Sequence, residues 1–214
     1  MSLAFYYGSG SPYAWRVWLA LEYKEIPYTL NTISFAAGDL KKSGYLKINP
    51  RHKVPAILDE GFALFESVAI VEYLDEHYAT AKKLFPGDTR QRALVRRMVQ
   101  EADQYFSIAM ETLVEQILFT EKEKWSADAI ASGRKKLVKE LAVWERSISG
   151  EYLAGPNVSA ADFALYPLVA LTLRMEKKDP TLNIHGEIGS KLAAWMKRME
   201  GLPYFRKTWP PHWK

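Results

Sequence analysis

The spacing of apolar positions changes along this chain, and the change divides it in two. Leu3 to Tyr7 is a short apolar run of strand length, whereas Ala14 to Tyr23 carries helical spacing through Val17, Leu19, Ala20 and Leu21. Tyr28 to Ile33, placed after Pro27, reads as a second strand, so the β-α-β order predicts a parallel pair with a right-handed crossover. Pro55 to Asp59 and Phe62 to Phe65 flank Glu60-Gly61 as a hairpin. Glu66 to Tyr78 returns to helical spacing, with Ile70, Val71 and Leu74 apolar. The order β-α-β, loop-rich stretch, β-β-α predicts a compact α/β sandwich.

Beyond Phe85-Pro86-Gly87-Asp88 every periodic stretch is helical. Leu94, Met98, Ala102, Phe106, Ala109, Leu113 and Ile117 form one apolar stripe, and Ile130, Leu137, Leu141, Trp144 and Ile148 form a second. Ser159-Ala-Ala-Asp162 has capping-box spacing, with Asp where Glu or Gln is usual. The stretch that follows to Leu173 is apolar on most faces, which predicts a central buried helix. Leu192, Trp195, Met196 and Met199 mark a last helix, and the aromatic tail Phe205 to Lys214 is expected to lie back on the body. The expected divisions are an α/β domain over 1–78, a linker over 79–88 and an all-helical domain over 89–214.

Composition narrows the chemistry. With 214 residues, 48% hydrophobic and 25% charged, the chain has the make-up of an ordinary soluble globular protein. No apolar run approaches the roughly 20 residues of a membrane-spanning helix, and the first residues lack a basic stretch followed by an apolar core, so a cytoplasmic location is expected. The absence of cysteine removes disulfides, thiolate metal sites, cysteine nucleophiles and thiol-disulfide exchange together, so any sulfur chemistry must arrive with a ligand. The net charge of +4 is spread along the chain without a long basic block, which argues against a nucleic-acid partner. His52, His77, His185 and His212 lack metal-ligand spacing, so no metal is expected.

The most informative segment is Gly8-Ser9-Gly10-Ser11-Pro12-Tyr13. It begins like a dinucleotide-binding turn, but Tyr13 occupies the third glycine position. Ser11-Pro12 reads as a helix start, with Ser11 as N-cap and Pro12 at the first helical position. A hydroxyl held at a helix N-terminus also stabilises an incoming anion. Tyr6, Tyr7 and Ser9 are rivals for that task, and Arg16, one turn on, adds positive potential or pairs with a carboxylate.

These residues carry a resemblance. Ser11-Pro12-Tyr13-Ala14 resembles the Cys-Pro-Tyr-Cys of glutaredoxins with both cysteines replaced, and Ser11 to Val17 resembles the serine motif of soluble glutathione transferases. Asn49 to Ile57 resembles that family's loop before a cis-proline, Phe65 to Ile70 its γ-glutamyl-binding turn, and Ser159 to Asp162 its capping motif. Among the classes the serine-type ones fit best, closest to the plant tau-like and related bacterial members. The resemblance implies a thioredoxin-like α/β N-terminal domain followed by an all-α C-terminal domain, with glutathione as co-substrate.

It also implies an activity: addition of the glutathione thiolate to an apolar electrophile in detoxification, accompanied by glutathione peroxidase activity. Ser11 would donate to the sulfur. Glu66 and Ser67 would hold the γ-glutamyl end, Val54 before Pro55 would pair with the peptide, and Lys53 would reach the glycine carboxylate, helped by Lys41 or Lys42. Ser9, Tyr13 and Arg16 are secondary candidates. The electrophile pocket is expected near Phe35, Tyr105 and Phe106, and the assembly is expected to be a homodimer. The alternatives are a zeta-like glutathione-dependent isomerase or dehalogenase, and a non-catalytic binding protein that keeps the fold.

Overall fold

The computed structural model describes residues 3–213; Met1, Ser2 and Lys214, which belong to the expected domain ends, lie outside the described residues. Two compact units are present. The first comprises residues 1–85 together with 203–214, and the second residues 86–202.

The first unit is built on a four-stranded sheet. β1 (Leu3–Tyr7) leads into α1 (Pro12–Lys24) and returns in β2 (Thr29–Thr32), parallel to β1. β3 (Ala56–Asp59) runs antiparallel to β1, and β4 (Phe62–Phe65) antiparallel to β3, giving the order β2-β1-β3-β4. Alternation along β1 sends Leu3, Phe5 and Tyr7 to one face, where they are buried. That is the face of α1 and α3 (Ser67–His77), which pack together through Val17, Leu21, Ile70 and Leu74 among other buried residues. On the opposite face Tyr6 joins a smaller cluster of Ile33, Tyr45, Ala56, Leu40, Ile48, Val54 and Phe65. A short helix in the loop-rich stretch, α2 (Ser43–Leu46), has only four residues and so no apolar period to announce it.

The division between the units, after residue 85, falls inside the stretch expected as a linker, and one expectation about the units is corrected. The stretch expected as a linker is tied down: buried Asp75 pairs with Lys24 at 3.1 Å and accepts from the amides of Leu84 at 2.8 Å and Phe85 at 3.3 Å. The tail, expected within the helical domain, belongs to the first unit instead. Its residues ring the fully buried Trp15 of α1: Phe205, Trp209 and Trp213 lie at ring-centroid distances of 5.8, 5.3 and 5.6 Å. The Trp15 indole N–H donates to Thr208 Oγ1 at 2.9 Å. Thr208 lies in the short helix Phe205–Thr208.

The second unit is helical. α4 (Thr89–Glu101) starts at a reciprocal capping box between Asp88 and Gln91. It runs through a π-helical turn (Ala102–Phe106) into α5 (Ser107–Val114) and a second π turn (Glu115–Phe119). The expected stripe is buried from Met98 to Ile117, but Leu94 is 48% exposed and Val95 takes its inward place. α6 (Ala127–Ser147) buries Leu137, Leu141 and Trp144. α7 (Ala160–Lys178) is the central helix, buried from Ala160 to Thr172. At its start the Asp162 carboxylate accepts from the amides of Ser159 and Leu153, the Ser159 hydroxyl and the indole of Trp195 on α8 (Ser190–Glu200). Burial pushes this carboxyl upward while those four donors pull it back.

Candidate active site

Ser11 caps α1 from an extended conformation, with φ −74° and ψ 118°, and its Oγ accepts from the Ala14 amide at 3.3 Å. Because that contact uses a lone pair, the hydroxyl proton remains to be donated outward, at the positive end of a 13-residue helix. Pro12 follows at the first helical position, where a missing N–H costs nothing. The preceding turn is closed by the Ser11 amide donating to the Gly8 carbonyl at 3.1 Å. Position 8 is tightly approached: an added Cβ would fall 2.4 Å from Phe35 Cζ and 2.8 Å from Val54 Cγ2, so both side chains would have to shift. The same contact shows that the Ser11 turn, Phe35 and the residue before the cis-proline are neighbours.

The rivals of Ser11 are placed otherwise. Tyr7 is buried, its ring 4.7 Å from that of Trp18, and its hydroxyl has no partner at normal geometry among the described residues. Burial pushes its phenol up, only partly opposed by the Ser9 hydroxyl and Gly10 amide. Tyr6 turns to the opposite face and packs edge-on against Tyr45. The Ser9 hydroxyl lies 2.7 Å from Nδ1 of His212 in the tail.

The Val54–Pro55 peptide is cis, and Pro55 is buried at the entry to β3. Two buried residues hold the loop before it: the Tyr45 hydroxyl and Asn49 Nδ2 both donate to the Lys53 carbonyl, at 2.6 and 2.7 Å. Asn49 Oδ1 also accepts from the Arg51 amide at 3.0 Å. Sequence reasoning missed Tyr45, whose only signal was an aromatic in a stretch without period. The Lys53 side chain is exposed, as are Lys41 and Lys42, but Lys42 is engaged by Asp39 at 2.6 Å. That lysine and the Ser34 amide hold the Asp39 carboxyl below its usual range.

Glu66 and Ser67 stand where β4 enters α3. Glu66 has φ 71° and ψ 111°, outside the regions favoured by residues with a Cβ, a conformation worth about 1–3 kcal/mol of strain. Ser67 is buried, and its Oγ accepts from Nη1 of Arg16 at 3.0 Å. Arg16 is itself 1% exposed, and its guanidinium lies 5.5 Å from the centre of the Tyr13 ring. One buried cation thus reaches from the Ser11 helix to the start of α3. The chain therefore brings together, within its first unit, a hydroxyl donor, a backbone edge at a cis-proline, and a helix start backed by a cation.

Comparison with known proteins decides the family. Residues 10–77 match the model of the glutathione S-transferase N-terminal domain and residues 101–203 that of the C-terminal domain. The chain belongs to the glutathione transferase family. It is 27% identical over 212 residues to glutathione S-transferase A of Pleuronectes platessa, covering 97% of this chain and 91% of that protein. It is 34% identical over 159 residues to a probable maleylacetoacetate isomerase 2 of Drosophila melanogaster, covering 73% of this chain and 68% of that protein. The crystal structure of poplar glutathione transferase F1 superimposes with a TM-score of 0.84 at 28% identity, covering 97% and 96% of the two chains.

As a glutathione transferase, the protein uses glutathione as its co-substrate. The three residues expected at this transferase's electrophile pocket are placed differently from one another. Phe35 is 51% exposed beside the Ser11 turn, and Tyr105 is 59% exposed on the first π turn of the helical unit. Phe106 is fully buried in the core of that unit, so its expected place in the pocket is corrected: the stripe that carries it points inward. Among the described residues no helix is long and apolar enough to cross a membrane, and no group of acidic and histidine side chains is arranged to hold a metal.

Proposed function

We propose that this glutathione transferase is a serine-type enzyme of the tau-like and related bacterial kind, in which Ser11 lowers the pKa of the glutathione thiol. The observation that carries the reading is the Ser11 hydroxyl at the start of α1, with its lone pair engaged by Ala14 and its proton left to donate. An ordinary thiol of pKa about 8.5 is only a few per cent ionised near neutrality. Lowering it by about two units requires roughly 2.7 kcal/mol of preference for the thiolate. One hydrogen bond to a charged group, about 1.5–3 kcal/mol, and a helix N-terminus, about 0.3–1 kcal/mol, supply that.

The remaining residues match the other functional groups of the tripeptide. Ser67, with Arg16 behind it, faces the γ-glutamyl carboxylate, and Glu66 pairs with the ammonium. The backbone of Val54 pairs with the peptide like an added strand, and Lys53, with Lys41, attracts the glycine carboxylate. Phe35, exposed beside the Ser11 turn, offers apolar surface to the electrophile. A homodimer is expected from membership of the family. The similarity to the fly isomerase favours a second activity, isomerisation of a maleyl compound with the thiol returned unconsumed.

The test is Ser11→Ala. It is expected to lower kcat about 10- to 100-fold towards a chlorinated aromatic, leave KM for glutathione nearly unchanged, and move the acid limb of the pH profile, where the thiol is protonated, to higher pH. Unchanged turnover with an unchanged profile would refute the assignment.

A further inference from the structure

The tail meets the Ser11 turn as well as Trp15. Gly10, at φ 88°, is approached so closely by the His212 ring that an added Cβ would fall 2.9 Å from its Cε1 and 3.4 Å from Trp213 Nε1. His212 Nδ1 stands 2.7 Å from Ser9 Oγ, while its Nε2 stands 3.0 Å from the Trp213 indole nitrogen. An indole N–H can only donate, so Nε2 is the acceptor. In the neutral ring the proton then sits on Nδ1 and is donated to Ser9 Oγ. Trp213 is buried against Trp15, four residues beyond Ser11 on α1, so the histidine is anchored to the same helix whose start it touches.

We propose that residues 205–213 form a strap over the Gly8–Ser11 turn, with His212 as a positioning residue that fixes Ser9 and thereby the direction of the Ser11 hydroxyl. The turn is held from its other side by Phe35 and Val54 at Gly8, so the strap completes a clamp on a four-residue segment. A donor at a helix N-terminus activates a thiol only while it points at the sulfur, and small displacements of such a donor are costly. His212 acts through Ser9. The catalytic part of this proposal rests on the serine-type reading; the structural part does not.

The two parts separate in one set of variants: Ser9→Ala, His212→Ala, the double variant, His212→Asn and His212→Gln. Asparagine can place an N–H where Nδ1 stood, whereas glutamine places it near Nε2. His212→Ala and Ser9→Ala are each expected to lower kcat about three- to tenfold at nearly constant KM for glutathione and to raise the pKa of the bound thiol. The double variant is expected to be no worse than either single one, and His212→Asn to restore activity where His212→Gln does not. Multiplicative losses, or an asparagine variant as poor as alanine, would overturn the positioning role. Hydrogen exchange at the Ser11 amide, which donates to Gly8, is expected to quicken in His212→Ala whatever the chemistry; unchanged exchange overturns the strap itself. If bound glutathione in the unmodified enzyme proves no more acidic than free, while exchange quickens, the serine-type reading fails and the strap stands.

Discussion

Ser67 is engaged on one side by the protein, since Arg16 Nη1 donates to its Oγ at 3.0 Å, and is offered on the other at the start of α3. The contact orients the hydroxyl so that its own proton points away from the guanidinium, and places a buried positive charge behind the helix N-terminus. An incoming carboxylate gains from both. Ser67→Ala is expected to raise KM for glutathione about 10- to 100-fold and to weaken retention on a glutathione matrix, with kcat changed far less, because the γ-glutamyl end is bound alike in ground and transition states. Normal retention would sink the assignment. The serine and the glutamate before it were legible as a motif. The partner on α1 was not: Arg16 and Ser67 are 51 residues apart, and a lone arginine on a helix carries no sign of what it will reach.

The elements that the sequence announced are those whose period is set by one buried face. β1 and β4 were read to the residue; β3, α1, α3 and α7 were read to within a few residues, because alternating or helical apolar spacing survives in each. The pieces that resisted are those ordered by long-range partners. The two π turns leave the apolar stripe almost unbroken, so nothing in the spacing marks them. The tail was expected on the body, but its attachment to the first unit depends on ring contacts and a Ser9–His212 hydrogen bond spanning 203 residues.

The loop from Asn49 to Lys53 shows the same division. Its motif was readable, yet its order comes from Tyr45 and Asn49 converging on one carbonyl. Asn49→Ala removes that donor and the acceptor for the Arg51 amide, leaving two part-buried backbone groups each short of a partner. It is expected to destabilise the first unit by about 1–3 kcal/mol and to raise KM for glutathione, while Tyr45→Phe, which removes one donor, costs about 0.5–1.5 kcal/mol. Thermal melts and glutathione titrations of the two variants check the order; equal effects would mean that the Asn49 contact to the Arg51 amide adds nothing, and a costlier Tyr45→Phe that the carbonyl is held mainly by the phenol.

The two units differ in how many buried or half-buried phenols of raised pKa they carry, and this sets how the whole molecule responds to alkali. Among the described residues, five phenols are raised in the first unit, Tyr7, Tyr28, Tyr45, Tyr73 and Tyr78, against two in the second, Tyr152 and Tyr166. Burial is the main cause throughout, and Tyr45 and Tyr73 are pushed up to about 12. A phenol whose pKa is higher folded than unfolded favours the folded state fully below the unfolded value of about 10. That contribution is lost as pH rises from about 10 towards the folded value. Stability of the first unit is therefore expected to hold to about pH 9.5 and then fall more steeply than that of the second. Above pH 10, segment-resolved hydrogen exchange should show β1 to β4 opening before α6 and α7. Tyr45→Phe, which cannot ionise, is expected to make the decline of the first unit shallower despite its lower stability at neutral pH. An unchanged slope, or a helical unit that opens first, would mean that these phenols do not govern the alkaline limit.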